Sequence, residues 1–140
     1  MSYLENIFEL ELKQNGILVE PFDTKNYNGS HYCYSQFRLF ALIVGKEKGM
    51  QKRLKDLGLN DFKFDFAFPS HKLLIELHGG TNAYGKHRGR HIRPSGFESD
   101  RKKMNDAVMN GWRVLEFTTD MIKNKIAIEQ TIKYLDFYPQ

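Results

Sequence analysis

Between Phe62 and His78, two short apolar runs carry two carboxylates and a histidine at alternating positions. In the first, Phe62, Phe64, Phe66 and Phe68 alternate with Lys63, Asp65 and Ala67. In the second, Leu73, Ile75 and Leu77 alternate with Lys72, Leu74, Glu76 and His78. Side chains two apart on a strand share a face, so this spacing predicts Asp65 opposite the phenylalanines. It also sets Glu76 and His78 together, away from Leu73, Ile75 and Leu77. The linker Pro69-Ser70-His71-Lys72 is short enough for an antiparallel hairpin, which would bring Asp65 and Glu76 within reach of one hard divalent cation. Converging carboxylates are costly without a compensating charge, and a metal ion supplies one that oxygen ligands suit. The plainer account makes Asp65 a solvated strand residue and Glu76 a partner for Lys63 or Lys72.

The surrounding pattern says what must hold this pair. Residues 2–14 read as an amphipathic helix with Ser2 as N-cap, Asn15-Gly16 as the stop, and Leu4, Ile7, Phe8, Glu11 and Leu12 on its inner side. Residues 21–30 read as loop. Residues 33–44 (CYSQFRLFALIV) are apolar on all sides and fit a buried helix better than a strand of that length. A short basic helix is expected at 50–57, closed by Gly58. After the hairpin, residues 79–96 form a long loop rich in Gly, His and Arg. A charged helix follows at 97–110 with Met104, Ala107 and Val108 inward, then a strand at 112–118. A last helix capped by Thr119 or Asp120 runs to about Leu135. The class is α/β or α+β, a small central mixed sheet flanked by helices, in a single domain over residues 1–140.

Composition narrows the partners. One cysteine, Cys33, excludes an internal disulfide framework and a multi-cysteine zinc site. No apolar run is long enough to span a bilayer, and the first residues lack a secretory leader's pattern, so a reducing cytoplasm is expected. The net charge of +4 is too small to name a partner by itself. Its distribution is more telling: Lys86, Arg88, Arg90, Arg93, Arg101, Lys102 and Lys103 crowd into one quarter of the chain, with His87 and His91 among them. That density favours contact with phosphates, although Lys102 and Lys103 can also pair with Glu98 or Asp106 along a helix.

FDFAFP, IELHGG, GRH and GFESDRKKMNDAVMNGWRVLEFT, in this order and spacing, resemble the PD-(D/E)xK nuclease superfamily. More narrowly they are similar to the very-short-patch-repair-like endonucleases and to compact phage nucleases of that type. The resemblance covers about residues 62–118, with a looser match at Leu4-Glu5 and Phe8. It implies a restriction-endonuclease-like core, DNA as partner, and Mg²⁺ as cofactor with Mn²⁺ as a substitute. Asp65 matches the first metal-binding aspartate and Glu76 the second acid. Glu5 resembles a first-helix glutamate that holds a metal through water, with Glu9 one turn on as its rival. His91 matches a histidine used near the scissile phosphate, and Lys103 and Asn105 match polar helix positions that approach it. Two departures stand out. His78 occupies the place of the superfamily lysine, and a single cysteine cannot build the structural zinc site of the true mismatch-repair enzymes. Residues 17–60 are longer than their counterpart in compact relatives, so substrate preference would lie there.

The function implied is that of a Mg²⁺-dependent endodeoxyribonuclease acting on duplex or branched DNA, with the host cytoplasm as its location if phage-encoded. Asp65 and Glu76 would hold the metal that activates water and neutralises charge on the phosphorane. His91 or His78 would act as general base or acid, a role typically worth about 10²–10⁴-fold. Lys86, Arg88, Arg90 and Arg93 would position the DNA backbone with salt-sensitive affinity. A homodimer would supply two sites for cutting both strands. The alternative is a DNA-binding module that keeps the fold without the chemistry, and His78 in place of lysine is the feature that sustains it. A zinc or transition-metal nuclease using His78, His87 and His91 is disfavoured, because these histidines share one loop rather than a strand-to-helix arrangement.

Overall fold

The computed structural model describes residues 2–23, 27, 32–39, 62–79 and 94–138. Helix α1 (Tyr3–Gln14) leads to β1 (Val19–Pro21) and β2 (Cys33–Arg38). The hairpin strands β3 (Lys63–Phe68) and β4 (Leu73–His78) follow, joined by a 3₁₀ turn at Pro69–His71. Then come α2 (Pro94–Met109), β5 (Arg113–Thr118), α3 (Thr119–Lys123) and α4 (Ile126–Phe137). The strands form one mixed sheet in the order β1-β2-β3-β4-β5. The outer pairs β1·β2 and β4·β5 are parallel, and β2·β3 and β3·β4 are antiparallel.

Helices cover both faces. On one side Leu4, Phe8 and Leu12 of α1, Ile122 of α3, and Ala127, Ile128 and Leu135 of α4 pack on Phe66, Phe68, Leu73, Ile75 and Phe117. On the other, Ala107 of α2 and Trp112 pack with Tyr34, Phe37, Leu39, Phe64, Ala67 and Leu74. Full burial of each large apolar side chain stabilises by about 1.5–3 kcal/mol before chain entropy is counted, so these two layers hold the sheet.

Local signals decide where the helices stop. The Ser2 hydroxyl accepts the Glu5 N–H at 3.2 Å, capping α1. At its other end Gly16 (φ 80°) donates to Lys13 O, and Ile17 N–H bonds Leu12 O, both at 3.0 Å. The same closure ends α2, through Gly111 (φ 84°) to Val108 O and Trp112 to Ala107 O. A left-handed residue is needed there to turn the chain back, and the apolar residue after it (Ile17 or Trp112) enters the core.

Several expectations require correction. Residues 33–38 form a central strand, not a buried helix: β2 is covered on both faces, which erases the alternation that marks a half-exposed strand. Residues 40–44 and the expected helix at 50–57 lie outside the described residues. Helix α2 begins at Pro94, inside the expected loop, because proline suits a first helical turn. Val108 points to solvent, whereas Ala107 is buried. The last helix is two helices. Thr118 caps α3 through Met121 N–H, and Lys125, left-handed at φ 67°, separates α3 from α4. Finally, Phe64 does not share a face with Phe66 and Phe68 but packs on the α2 side with Ala67. Among the described residues no helix is long and apolar enough to cross a membrane.

Candidate active site

Backbone pairing of β3 and β4 runs from Phe68–Leu73 to Phe66–Ile75. One step further sets Asp65 across from Glu76, and there side chains take over the ladder. The Asp65 N–H donates to Glu76 Oε1 at 3.1 Å, and the Leu77 N–H donates to Asp65 Oδ2 at 2.7 Å. Each carboxylate therefore holds the opposite strand, and the two are fixed side by side. The hairpin and the Asp65–Glu76 convergence expected from alternation are both present.

A cation completes the pair. Lys103, on α2, sets its Nζ 2.7 Å from Glu76 Oε2, with the two side chains only 15% and 13% exposed. The same ammonium lies 4.5 Å from the centroid of the Phe64 ring. Phe64 can serve as that seat only because it faces α2. Glu76 therefore pairs with neither Lys63 nor Lys72, and Lys103 takes its partner from the sheet instead of Glu98 or Asp106. Asp65 has its carboxyl pushed above the usual range, chiefly by burial and next by the charge of Glu76; the Leu77 N–H and Lys103 oppose the shift. Two close carboxylates and one ammonium leave net negative charge in a partly dry place, which favours any further positive charge that can enter.

The change of face at Phe64 has a local origin. Strands β2 and β3 pair at Tyr34–Ala67 and Ser35–Phe66, then again at Phe37–Phe64 and Arg38–Lys63. The register is unchanged on both sides, yet Tyr34 and Phe37, three apart, lie in the same core layer, as do Ala67 and Phe64. Both strands thus switch face by one residue at the rung Gln36–Asp65. Gln36 has φ 53°, and its Nε2 donates to Glu5 Oε2 on α1.

The remaining expected residues divide. His78 shares the face of Glu76, and its Nε2 lies 2.9 Å from Glu116 Oε1 on β5; Glu116 is itself in register with Glu76. Glu5 bonds Gln36, while its rival Glu9 forms an ion pair with Lys13 at 2.9 Å. Asn105 is exposed on α2. His87, His91, Lys86, Arg88, Arg90 and Arg93 lie outside the described residues. Among the described residues no three His, Cys, Asp or Glu side chains gather to hold a metal, so Asp65 and Glu76 form a two-carboxylate set with Glu5 apart from it. Sequence reasoning passed over Gln36 and Glu116. Alternation in Val114-Leu115-Glu116-Phe117 already marks Glu116 as facing away from the α1 layer, whereas no propensity singles out a glutamine for a left-handed strand position.

A cleft of about 450 Å³ between the start of α1, the end of β4 and α3 is lined by Ser2, Tyr3, Leu4, Glu5, Leu77, Gly79, Thr119 and Lys123. Of these, Leu77 also donates its backbone N–H to Asp65. A side chain at Gly79 would collide with Leu4, so glycine lets the end of β4 lie against α1. Compared with known proteins, the chain matches no family model, no curated protein and no solved structure.

Proposed function

We propose that the protein is a metal-dependent DNA endonuclease with a restriction-endonuclease-like core, its site built on Asp65, Glu76 and Lys103. The observation that carries this reading is the reciprocal lock of Asp65 and Glu76 on facing strands, with the Lys103 ammonium on Glu76. Two carboxylates with room for water suit Mg²⁺, which prefers few protein oxygens, and the raised Asp65 carboxyl is the group such a cation would relieve. When bound, the metal supplies Lewis acidity toward the phosphate and a water of lowered pKa.

The chain's own groups have separable tasks. Asp65 and Glu76 would hold the cation, and the backbone N–H groups of Leu77 and Asp65, which donate to Asp65 and Glu76 respectively, keep both carboxylates from rotating. Lys103 supplies the fixed positive charge that His78 cannot, aimed at the negative charge that grows on the phosphate. Loss of one such preorganised donor costs on the order of 10²–10³ in rate. His78, oriented by Glu116, presents its imidazole on the same face for proton transfer. The basic segment from Lys86 to Arg93 would hold the DNA backbone.

The test is a gel assay on supercoiled plasmid and a four-way junction with Mg²⁺, Mn²⁺ or EDTA, beside Glu76→Ala. Metal-dependent cleavage that vanishes in the variant is expected. Salt-sensitive DNA binding by folded protein, with no product in either metal, would replace this reading with that of a DNA-binding module lacking the chemistry.

A further inference from the structure

Aromatic and basic side chains meet where β5 touches α4, on the sheet face opposite the carboxylate pair. Alternation along β5 sends Glu116 to the face of Glu76 and His78, and Leu115 and Phe117 to the other face, where α4 packs. Arg113, two residues before Leu115, reaches that helix. Its guanidinium carbon lies 4.3 Å from the centroid of the Tyr138 ring, and its Nη1 lies 3.4 Å from the Tyr134 hydroxyl. Tyr138 also packs with Tyr134 and Phe137, at ring-centroid distances of 4.7 and 5.1 Å. These contacts gather the rings without burying them: Phe137 is 72% exposed and Tyr138 42%.

Clustered aromatic surface left in water is unfavourable, and the hollow beside these rings says what would cover it. A space of about 370 Å³ is lined by Leu115, Gln130, Lys133, Tyr134, Phe137 and Tyr138. Among the described residues no carboxylate lines it, and Lys133 in its wall and Arg113 on Tyr138 make it cationic. Of the acids next to the lining residues in sequence, Glu116 faces the other side of the sheet. Glu129 and Asp136 border a separate hollow with Asn15, which meets this one only at Lys133 and Phe137. Four apart on α4, Lys133 and Phe137 share one side of the helix. A ligand that uses both has a flat apolar ring for Phe137 and an anionic group for Lys133 and Arg113. An apolar peptide leaves the two cations unused, and a paired duplex offers phosphates but keeps its base faces stacked inside. An unpaired nucleotide presents both.

We propose that Arg113, Lys133, Phe137 and Tyr138 form a stacking site for an unpaired base of single-stranded nucleic acid, on the sheet face opposite the Asp65–Glu76 pair. The base lies on the Phe137 ring, and the phosphates on either side of it pair with Lys133 and Arg113. Tyr134 and Tyr138 hold the guanidinium in place before the strand arrives. Every base has a π-face, so the site distinguishes unpaired from paired strands and is tolerant of sequence. The inference goes beyond the nuclease reading: it needs neither metal nor cleavage, and it stands or falls on binding alone.

The test measures fluorescence anisotropy in EDTA, which keeps any cleavage silent, with three labelled probes: a short oligothymidylate, a chain of the same length made of abasic sites, and a blunt duplex. The wild-type protein should bind oligothymidylate about tenfold or more tightly than the abasic chain, which has the same phosphates and no rings. Phe137→Ala should weaken oligothymidylate binding about tenfold and leave the abasic chain and the duplex within about twofold. Its melting temperature should not change, because the ring is exposed. Phe137→Leu, which keeps apolar bulk without a π-face, should lose the preference as well, and Phe137→Trp should keep it. Lys133→Gln should lower the slope of log affinity against log salt by about 0.7 for the single strand. Equal wild-type affinity for the oligothymidylate and abasic chains would overturn the proposal, as would a Phe137→Leu variant with the wild-type preference. A loss in Lys133→Gln with none in Phe137→Ala would leave only a patch for polyanions and overturn it too. Base-dependent binding by a protein that cuts no DNA in either metal would end the nuclease reading and uphold this one.

Discussion

Lys103 Nζ and Glu76 Oε2 lie 2.7 Å apart, although 27 residues separate them in the chain. Helix α2 thus returns a fixed positive charge to the sheet position whose neighbour, His78, carries none that is permanent. The Phe64 ring 4.5 Å away shields this ammonium from water, which strengthens its hold on the carboxylate.

Replacing Lys103 with Met should therefore damage stability and activity together. It leaves the Glu76 Oε2 partly buried without its cation, a loss of about 3 kcal/mol, or roughly 10 °C in melting temperature. Cleavage should fall on the order of 10²-fold or more. Mg²⁺ should raise the melting temperature of the variant more than that of wild type, because the metal takes over the missing charge. Equal metal effects in paired thermal melts would separate Lys103 from the cation site.

Asp65 should limit the stability of the metal-free protein. Its carboxyl sits above the ordinary value of about 3.9 in the fold, so the native state keeps a proton over an interval where the unfolded chain has released it. Stability then falls as pH rises through that interval and returns as pH drops back through it. Asp65→Asn removes the charge while its amide can still accept from Leu77 N–H. The variant should melt about 4 °C higher at pH 7.5 without metal, and it should cut DNA at under about one-thousandth of the wild-type rate. A lower melting temperature would show that the Leu77 bond to a charged carboxylate outweighs the repulsion.

His71 should give the protein an acid-side weakness. Burial holds its imidazole below the ordinary value of about 6.5, and its Nδ1 is buried with no partner among the described residues. The unfolded chain gains a proton at a pH where the native state does not, so stability decreases as pH falls from 7 to 5.5. His71→Phe, which can retain the edge-on contact to Tyr32 (ring centroids 5.5 Å apart), should shrink that decrease by roughly 2–4 °C. Melts at the two pH values decide it; an unchanged difference would assign the acid sensitivity elsewhere.

The link between α1 and the α3–α4 junction is also electrostatic. Lys125 Nζ lies 2.8 Å from Oε2 of Glu11, which is 5% exposed, while Glu11 Oε1 has no partner among the described residues. Lys125→Met should destabilise by about 1–3 kcal/mol by stranding that carboxylate. Adding Glu11→Leu should recover most of the loss, because an apolar side chain suits the inner face of α1. Additive losses in denaturant melts would mean that the two residues do not act as a pair.

The sequence by itself determined what depends on neighbours a few residues away. Ser2 and Gly16 bound α1, Gly111 ends α2, and alternation through Phe62–Phe68 and Leu73–Leu77 predicts a hairpin that sets Asp65 against Glu76, although it puts Phe64 on the wrong face. Caps, left-handed glycines and face alternation act over two to five residues, so they can be read without the fold. Tertiary structure alone decided the rest. A strand buried on both faces, β2, has no period to betray it. The exchange of face at Phe64 comes from a distortion shared by two strands, and the partner of Lys103 depends on where α2 lands after the chain has crossed from β4. Gln36 is the extreme case: nothing local favours its backbone, and only the packing of α1 against the sheet holds its amide on Glu5. The carboxylate pair was thus legible in the chain, while the groups that hold and balance it became visible only when distant segments met.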